Sequence, residues 1–169
     1  MCAGILLYMI HSLEQFDRKF IYFLRKYSNT IARVALFIIF FWFGILKVFL
    51  LSPAGPLVVH LLQVTFLGWI EPNTFLTWFG VFEVIIGFMI LIPKLERITF
   101  AILLFHLFTT VMPLFMLPNE VWDGWLVPNL TGQYIIKNVA LLSLGLVLFS
   151  KLRPISETHS ILGEEVKKI

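Results

Sequence analysis

Charge is scarce in this chain, and cysteine is scarcer. Asp, Glu, Lys and Arg make up 14% of the 169 residues while 59% are hydrophobic, a balance too apolar to give a soluble domain of this length its polar cover. The single cysteine, Cys2, excludes an intrachain disulfide and any multi-cysteine metal site, and no lipobox-like run precedes it. Metal-ligand spacing, a phosphate-cradling glycine loop and a basic stripe interleaved with aromatics are all missing, which removes a metal site and leaves nucleic-acid binding without support. The first apolar stretch, Gly4 to Ile10, has no basic region before it, so no cleaved leader is expected.

Cations are missing from two long stretches in particular. Eleven of the 13 lysines and arginines fall in residues 1–33, in the connection 93–97 and in the tail after Ser150, whereas the connections 52–74 and 118–133 hold none. Basic flanks resist translocation, so the first set is expected on the cytoplasmic side and the cation-free connections outside. Four apolar runs separate these segments, roughly 34–51, 75–92, 98–117 and 134–149. As helices, about 18 residues rise about 27 Å, just enough for the hydrocarbon layer. The expected fold is an all-α membrane protein, a four-transmembrane-helix bundle over 34–149, with a cytoplasmic amphipathic segment at 1–33 and a cytoplasmic tail at 150–169. Its expected partner is the lipid bilayer and its expected place a bacterial inner membrane, with both termini cytoplasmic.

Within 1–33, Phe16, Phe20, Phe23, Leu24 and Tyr27 recur at helical spacing, with Asp17, Arg18, Lys19, Arg25 and Lys26 on the other side. The pattern suits a helix on the cytoplasmic leaflet, and equally a surface helix that feeds the first span. Ser28, Asn29 and Thr30 supply cap chemistry before that span. In the first outer connection, Pro56 opens a second apolar stretch, 57–70, with His60, Gln63 and Glu71 along a polar stripe. About 15 residues is short for a crossing, and a true span there would throw the 93–97 cations outside, so an outer interfacial helix is expected. Pro113 should kink the third span, with Thr109 and Thr110 serving the freed carbonyls. The loop 118–133, with Trp122, Trp125, Glu120 and Asp123, reads as an ordered outer cap, and Asn129-Leu130-Thr131 is a formal glycosylation sequon.

Each run also contains one ionisable residue: Lys47, Glu83, His106 and Lys137. Such residues are costly in hydrocarbon, face the bundle interior as a rule, and raise a functional-site hypothesis. Each has a plainer reading: snorkelling for the lysines, a lysine-paired or protonated structural carboxyl for Glu83, and an interhelical hydrogen bond for His106. Gly80 and Gly87 share a face with Glu83 and permit a close helix neighbour. Two lysines against one glutamate leave a cation in surplus, to be resolved by a neutral lysine, by Glu71, Glu120 or Asp123, or by an anionic or carbonyl-bearing ligand. The ligand reading predicts a pocket near the outer leaflet, floored by Glu83 and His106, walled by Trp42 and Trp78 and topped by Lys47 and Lys137.

Arg33, the run Trp42-Phe43-Gly44-Ile45-Leu46-Lys47, the run Phe82-Glu83-Val84-Ile85-Ile86-Gly87 and the run Tyr134-Ile135-Ile136-Lys137-Asn138 together resemble the DoxX superfamily of small four-helix membrane proteins. The Thr109-Thr110 pair with Pro113 and the region 132–137 look closest to its reactive-chlorine-resistance branch. The resemblance implies association with a quinone or with a redox or oxidative-stress system. The residues themselves show no redox-active cysteine, flavin motif or paired haem histidines, so no intrinsic cofactor is expected and electrons would pass through a partner protein or a diffusible cofactor. Other relatives are cargo receptors or assembly chaperones, so a non-enzymatic membrane scaffold or assembly factor is the alternative. A proton-coupled carrier built on Glu83 and His106 fits less well, because internal repeats are lacking. Homodimerisation suits so small a bundle.

Overall fold

The structure is a computed structural model that describes residues 2–65, 67–150 and 152. It is almost wholly helical: α1 (Cys2–Val48), α2 (Gly55–Val64), α3 (Pro72–Leu91), a 3-10 turn at Pro93–Leu95, α4 (Glu96–Val111), α5 (Pro113–Met116), α6 (Pro118–Val121), α7 (Leu130–Ile136) and α8 (Asn138–Phe149). A small antiparallel hairpin, β1 (Trp122–Gly124) with β2 (Val127–Pro128), interrupts the helices. Four stretches are long and apolar enough to cross a membrane: Leu13–Val48, Pro72–Leu91, Pro93–Met116 and Leu130–Phe149. At most 33% of the most apolar window in any of them is buried inside the chain, so the remaining surface, Phe43, Phe105 and Phe108 included, calls for hydrocarbon cover. Of the expected tail, 150–169, only Ser150 and Leu152 fall among the described residues.

Local chemistry sets the helix ends. α1 runs unbroken through Ser28, Asn29 and Thr30, so the expected cap does not form: Tyr27 and Ile31 continue the helical spacing, and Arg33 is anchored one turn later. α1 closes beyond Val48 with Leu50 in the left-handed region (φ 57°), the Leu51 N–H bonding the Leu46 carbonyl at 2.7 Å and the Leu50 N–H that of Lys47 at 3.0 Å. α2 begins with Pro56 in its first turn, as expected, and its 10 residues are too short to cross. It stops at Val64 rather than continuing to residue 70, because the Thr65 hydroxyl and N–H both turn back to the Leu62 carbonyl.

Glu71, expected on the α2 stripe, instead caps α3. Its carboxylate accepts from the N–H groups of Asn73 (3.0 Å) and Thr74 (2.6 Å). The Thr74 side chain, the Thr74 N–H and then the Asn73 N–H hold that carboxyl below the usual range. Pro93 ends α3, since the residue before a proline prefers extended backbone and Ile92 adopts it.

At Pro113 the hydrogen-bond ladder of the third crossing is disturbed, as expected: α4 ends at Val111 and α5 opens at Pro113, while Met112 between them keeps helical dihedrals (φ −52°, ψ −39°). The hydroxyls of Thr109 and Thr110 donate to the carbonyls of His106 (2.7 Å) and Leu107 (2.8 Å), one turn earlier. The carbonyl that Pro113 frees, that of Thr109, takes the Met112 N–H at 3.3 Å.

The loop 118–133 is tied down by the Trp122 indole N–H on the Leu114 carbonyl (3.0 Å) and by His60 on Glu120 (2.7 Å). Asn129, read above as a sequon, is the N-cap of α7: its Oδ1 accepts the Gly132 N–H (3.0 Å) and its Nδ2 donates to the Glu120 carbonyl (2.8 Å). Asn129→Ala is expected to cost about 1 kcal/mol. The measurement is faster hydrogen exchange at the Gly132 amide than in the unaltered protein.

The core joins the four crossings near one end of the bundle, through Leu36 and Phe40, Ile86 and Ile90, Leu103 and Leu107, and Leu148 and Phe149. At that end Arg33 is 9% exposed, donates to the Ile90 carbonyl at 2.8 Å and pairs with Glu96. α1 is thereby fixed to the turn between α3 and α4.

Candidate functional site

At the other end α1 and α3 approach backbone to backbone. A Cβ built on Gly80 would lie 2.6 Å from the Gly44 carbonyl oxygen, and one built on Gly44 would lie 2.7 Å from that of Gly80. Only glycine fits both positions, and the contact brings the last turn of α1 against the middle of α3. Lys47, in that last turn, sits where helix carbonyls favour a cation. Its Nζ is 2.5 Å from Oε2 of Glu83. His106 of α4 completes the group, with Nε2 3.3 Å from Oε1 of the same carboxylate. Lys47, Glu83 and His106 are 6%, 5% and 3% exposed, so all three are removed from any surrounding solvent.

Glu83 thus divides its two oxygens between a cation and an imidazole. With the histidine proton on Nε2, the 3.3 Å contact is a hydrogen bond and Nδ1 is left as an acceptor. Nδ1 is buried and has no hydrogen-bond partner; no other buried side-chain nitrogen or oxygen among the described residues is in that state. Aromatic rings surround the imidazole: Phe40 edge-on at 5.2 Å between centroids, Phe79 stacked at 5.3 Å and Phe82 at 6.1 Å. The Lys47 ammonium also lies 5.7 Å from the Phe79 ring centroid. Phe79 and Phe82, both against the His106 ring, are themselves partly exposed.

Lys137, Trp42 and Trp78 do not join this group, which corrects the six-residue pocket expected above. Lys137 is exposed, at the junction of α7 and α8, with its Nζ 4.8 Å from the Tyr134 ring centroid. Trp42 and Trp78 are 63% and 68% exposed. Helical phase explains all three: each stands two residues, about 200° of helix, from a buried residue of its own stretch, namely Ile135, Phe40 and Leu76. An open hollow beside Trp78, lined also by Asn73, Thr74 and Thr77, includes none of the three clustered side chains.

Glu71 is spent on its helix cap and Glu120 on His60, and among the described residues no salt bridge joins Lys137 to Asp123. Sequence reading missed the Arg33–Glu96 pair. Its signal was present: Arg33 and Lys47 are 14 residues apart, close to four whole turns, and so fall on one face of α1. Also unforeseen was the Asn138 amide, which donates to the Thr110 hydroxyl at 3.2 Å and ties α8 to α4. Compared with protein-family models, with curated proteins and with solved structures, the chain finds no significant match.

Proposed function

We propose that this chain is a four-span protein of a bacterial inner membrane, with both termini cytoplasmic and α2 on the outer surface, and that Lys47, Glu83 and His106 form a binding site for the head group of a quinone–quinol pair. The observation that carries the reading is the unpartnered Nδ1 of His106, buried beside an ion pair that already satisfies Glu83. A buried acceptor without a partner costs about 1–3 kcal/mol, and a hydroxyl donated by a bound molecule removes that cost. A quinol supplies such a hydroxyl, dissolves in the bilayer and can reach His106 past Phe79 and Phe82. The Lys47–Glu83 pair is neutral as a unit, which favours an uncharged, carbonyl-bearing ligand such as a quinone over the anionic alternative expected above, a small oxyanion. The DoxX-like motifs support the same assignment: Lys47 and Glu83 fall within two of the three quoted runs, and the role would be that of a membrane subunit in a redox or oxidative-stress system.

The test is quinone content after purification into native-lipid nanodiscs. The unaltered chain should carry lipidic quinone in near-stoichiometric amount, Lys137→Met should carry the same, and His106→Phe should lose roughly tenfold or more, as expected for one buried hydrogen bond. Equal quinone in His106→Phe and the unaltered chain, or none in either, overturns the assignment. The close packing of the three phenylalanines around His106 is what favours the other reading, a scaffold or assembly factor whose polar cluster only locks its helices. A stoichiometric partner protein recovered in mild detergent, without quinone, is the result that reading requires.

A further inference from the structure

We infer that the first half of α1 is a docking surface for an anionic lipid leaflet, reached by a bend in the Ser28–Thr30 turn, on the side of the bundle that holds Arg33 and Glu96. The inference is independent of the Lys47–Glu83–His106 assignment and rests on the helical phase of α1.

Leu13, Phe16, Phe20, Phe23, Leu24, Tyr27 and Ile31 are all 41–69% exposed, and at 3.6 residues per turn they share one arc roughly 100° wide. Two aromatic pairs run along it, Phe16 with Phe20 (6.1 Å) and Phe23 with Tyr27 (4.9 Å). Nothing among the described residues covers this stripe: residues 13–28 are exposed on every side of the helix, and farther along α1 the bundle packs on the opposite phase, where Leu36, Phe40 and Lys47 are buried roughly half a turn away. The stripe instead continues into Val34, Ile38 and Trp42, which are 42%, 53% and 63% exposed on the outer, lipid-facing side of the same helix.

That continuity names the occupant. If α1 bends toward its lipid-facing side, the inside of the bend is the stripe itself, so the apolar arc comes down onto the bilayer with no rotation of the helix. Ser28, Asn29 and Thr30 are the place for it, since their side chains compete locally for backbone hydrogen bonds and weaken a helix interior. Charge agrees. Residues 13–27 carry Arg18, Lys19, Arg25 and Lys26 against Glu14 and Asp17, and Lys19 and Lys26 flank the arc on one side, placed to meet lipid phosphates as the rings enter the interface. Asp17 borders the other side, and Arg18 already has Glu14 at 3.5 Å. A second copy of the chain is the competing occupant. Antiparallel copies paired on this stripe would set their Lys19 and Lys26 edges against each other, and parallel copies would set that edge against Asp17. Either way each helix brings four basic residues against two acidic ones over 13–27, which repels a like helix and attracts an anionic leaflet.

The experiment places a spin label at Phe23→Cys, on the stripe, and separately at Tyr22→Cys, off it, each in a Cys2→Ser background of the full chain in nanodiscs. In discs containing phosphatidylglycerol, position 23 should be reached by oxygen and shielded from a water-soluble nickel chelate, and position 22 the reverse. Replacing Lys19 and Lys26 together by glutamine should lower the ratio of docked to undocked helix roughly twenty-five-fold, about fivefold for each lysine. In phosphatidylcholine discs the shielding at position 23 should weaken in the same direction. The inference is overturned if position 23 stays open to the chelate in both lipids, or if its shielding comes with spin–spin broadening between two copies in one disc.

Discussion

Glu83→Leu should destabilise the folded bundle by about 3–5 kcal/mol, the usual cost of leaving one member of a buried ion pair without its partner. Lys47 is then an ammonium with an 8% exposed side chain in apolar surroundings, and the His106 imidazole loses its contact with the carboxylate as well. The double variant Lys47→Met, Glu83→Leu should recover most of that loss, because apolar side chains of similar volume replace the pair without stranding a charge. Equilibrium unfolding in mixed micelles of increasing sodium dodecyl sulfate measures both. A single variant that unfolds at the same denaturant fraction as the unaltered chain would mean that the pair does not hold α1 to α3. The same two proteins separate stability from binding. If the cluster holds a quinone head group, the double variant regains its fold and still lacks the ligand.

Gly80→Ala and Gly44→Ala should each cost about 1–3 kcal/mol by overpacking, and they should weaken the Lys47–Glu83 pair along with the fold. The reason is that the obstructing atoms at Gly80 cannot swing aside. Its new Cβ would meet the Gly44 carbonyl oxygen at 2.6 Å, the Lys47 Cβ at 2.8 Å and the Val48 nitrogen at 2.8 Å, so α1 and α3 must separate as rigid bodies. Gly87→Ala should cost less, since its nearest obstacle is the Phe41 nitrogen at 3.2 Å, and Gly55→Ala least of all, with the Leu76 methyl at 3.5 Å. The order Gly80 and Gly44, then Gly87, then Gly55 is what the micelle titration should return. A flat series would show that α1 and α3 do not pack at backbone contact.

Much of the scaffold could be read from the chain. Four apolar runs of crossing length, a proline-opened helix too short to cross, and a tight turn at Pro93 all follow from local composition, and the structure has each of them. Boundaries suffered where a side chain took a backbone group that pattern alone does not reveal. Asn129 starts α7 several residues before the apolar run begins, and Glu71 leaves the α2 stripe to cap α3. The Trp122–Pro128 hairpin has no strand-like alternation long enough to announce it.

That Lys47, Glu83, His106 and Lys137 stood out was a matter of chemistry: an ionisable side chain in an apolar run is conspicuous at any phase of the helix. Which of them meet was a matter of geometry. Lys47 and Lys137 are alike in type and in their surroundings along the chain, yet one is buried against a carboxylate and the other lies exposed over a tyrosine ring. The difference arises because Gly44 and Gly80 bring α1 onto α3, whereas Ile135, two residues from Lys137, is the residue that α7 turns inward. Apolar transfer is additive along a sequence and needs no partner, so the spans are written in composition. A hydrogen bond or ion pair needs two groups from distant residues within about 3 Å, and that distance exists only once the helices have packed.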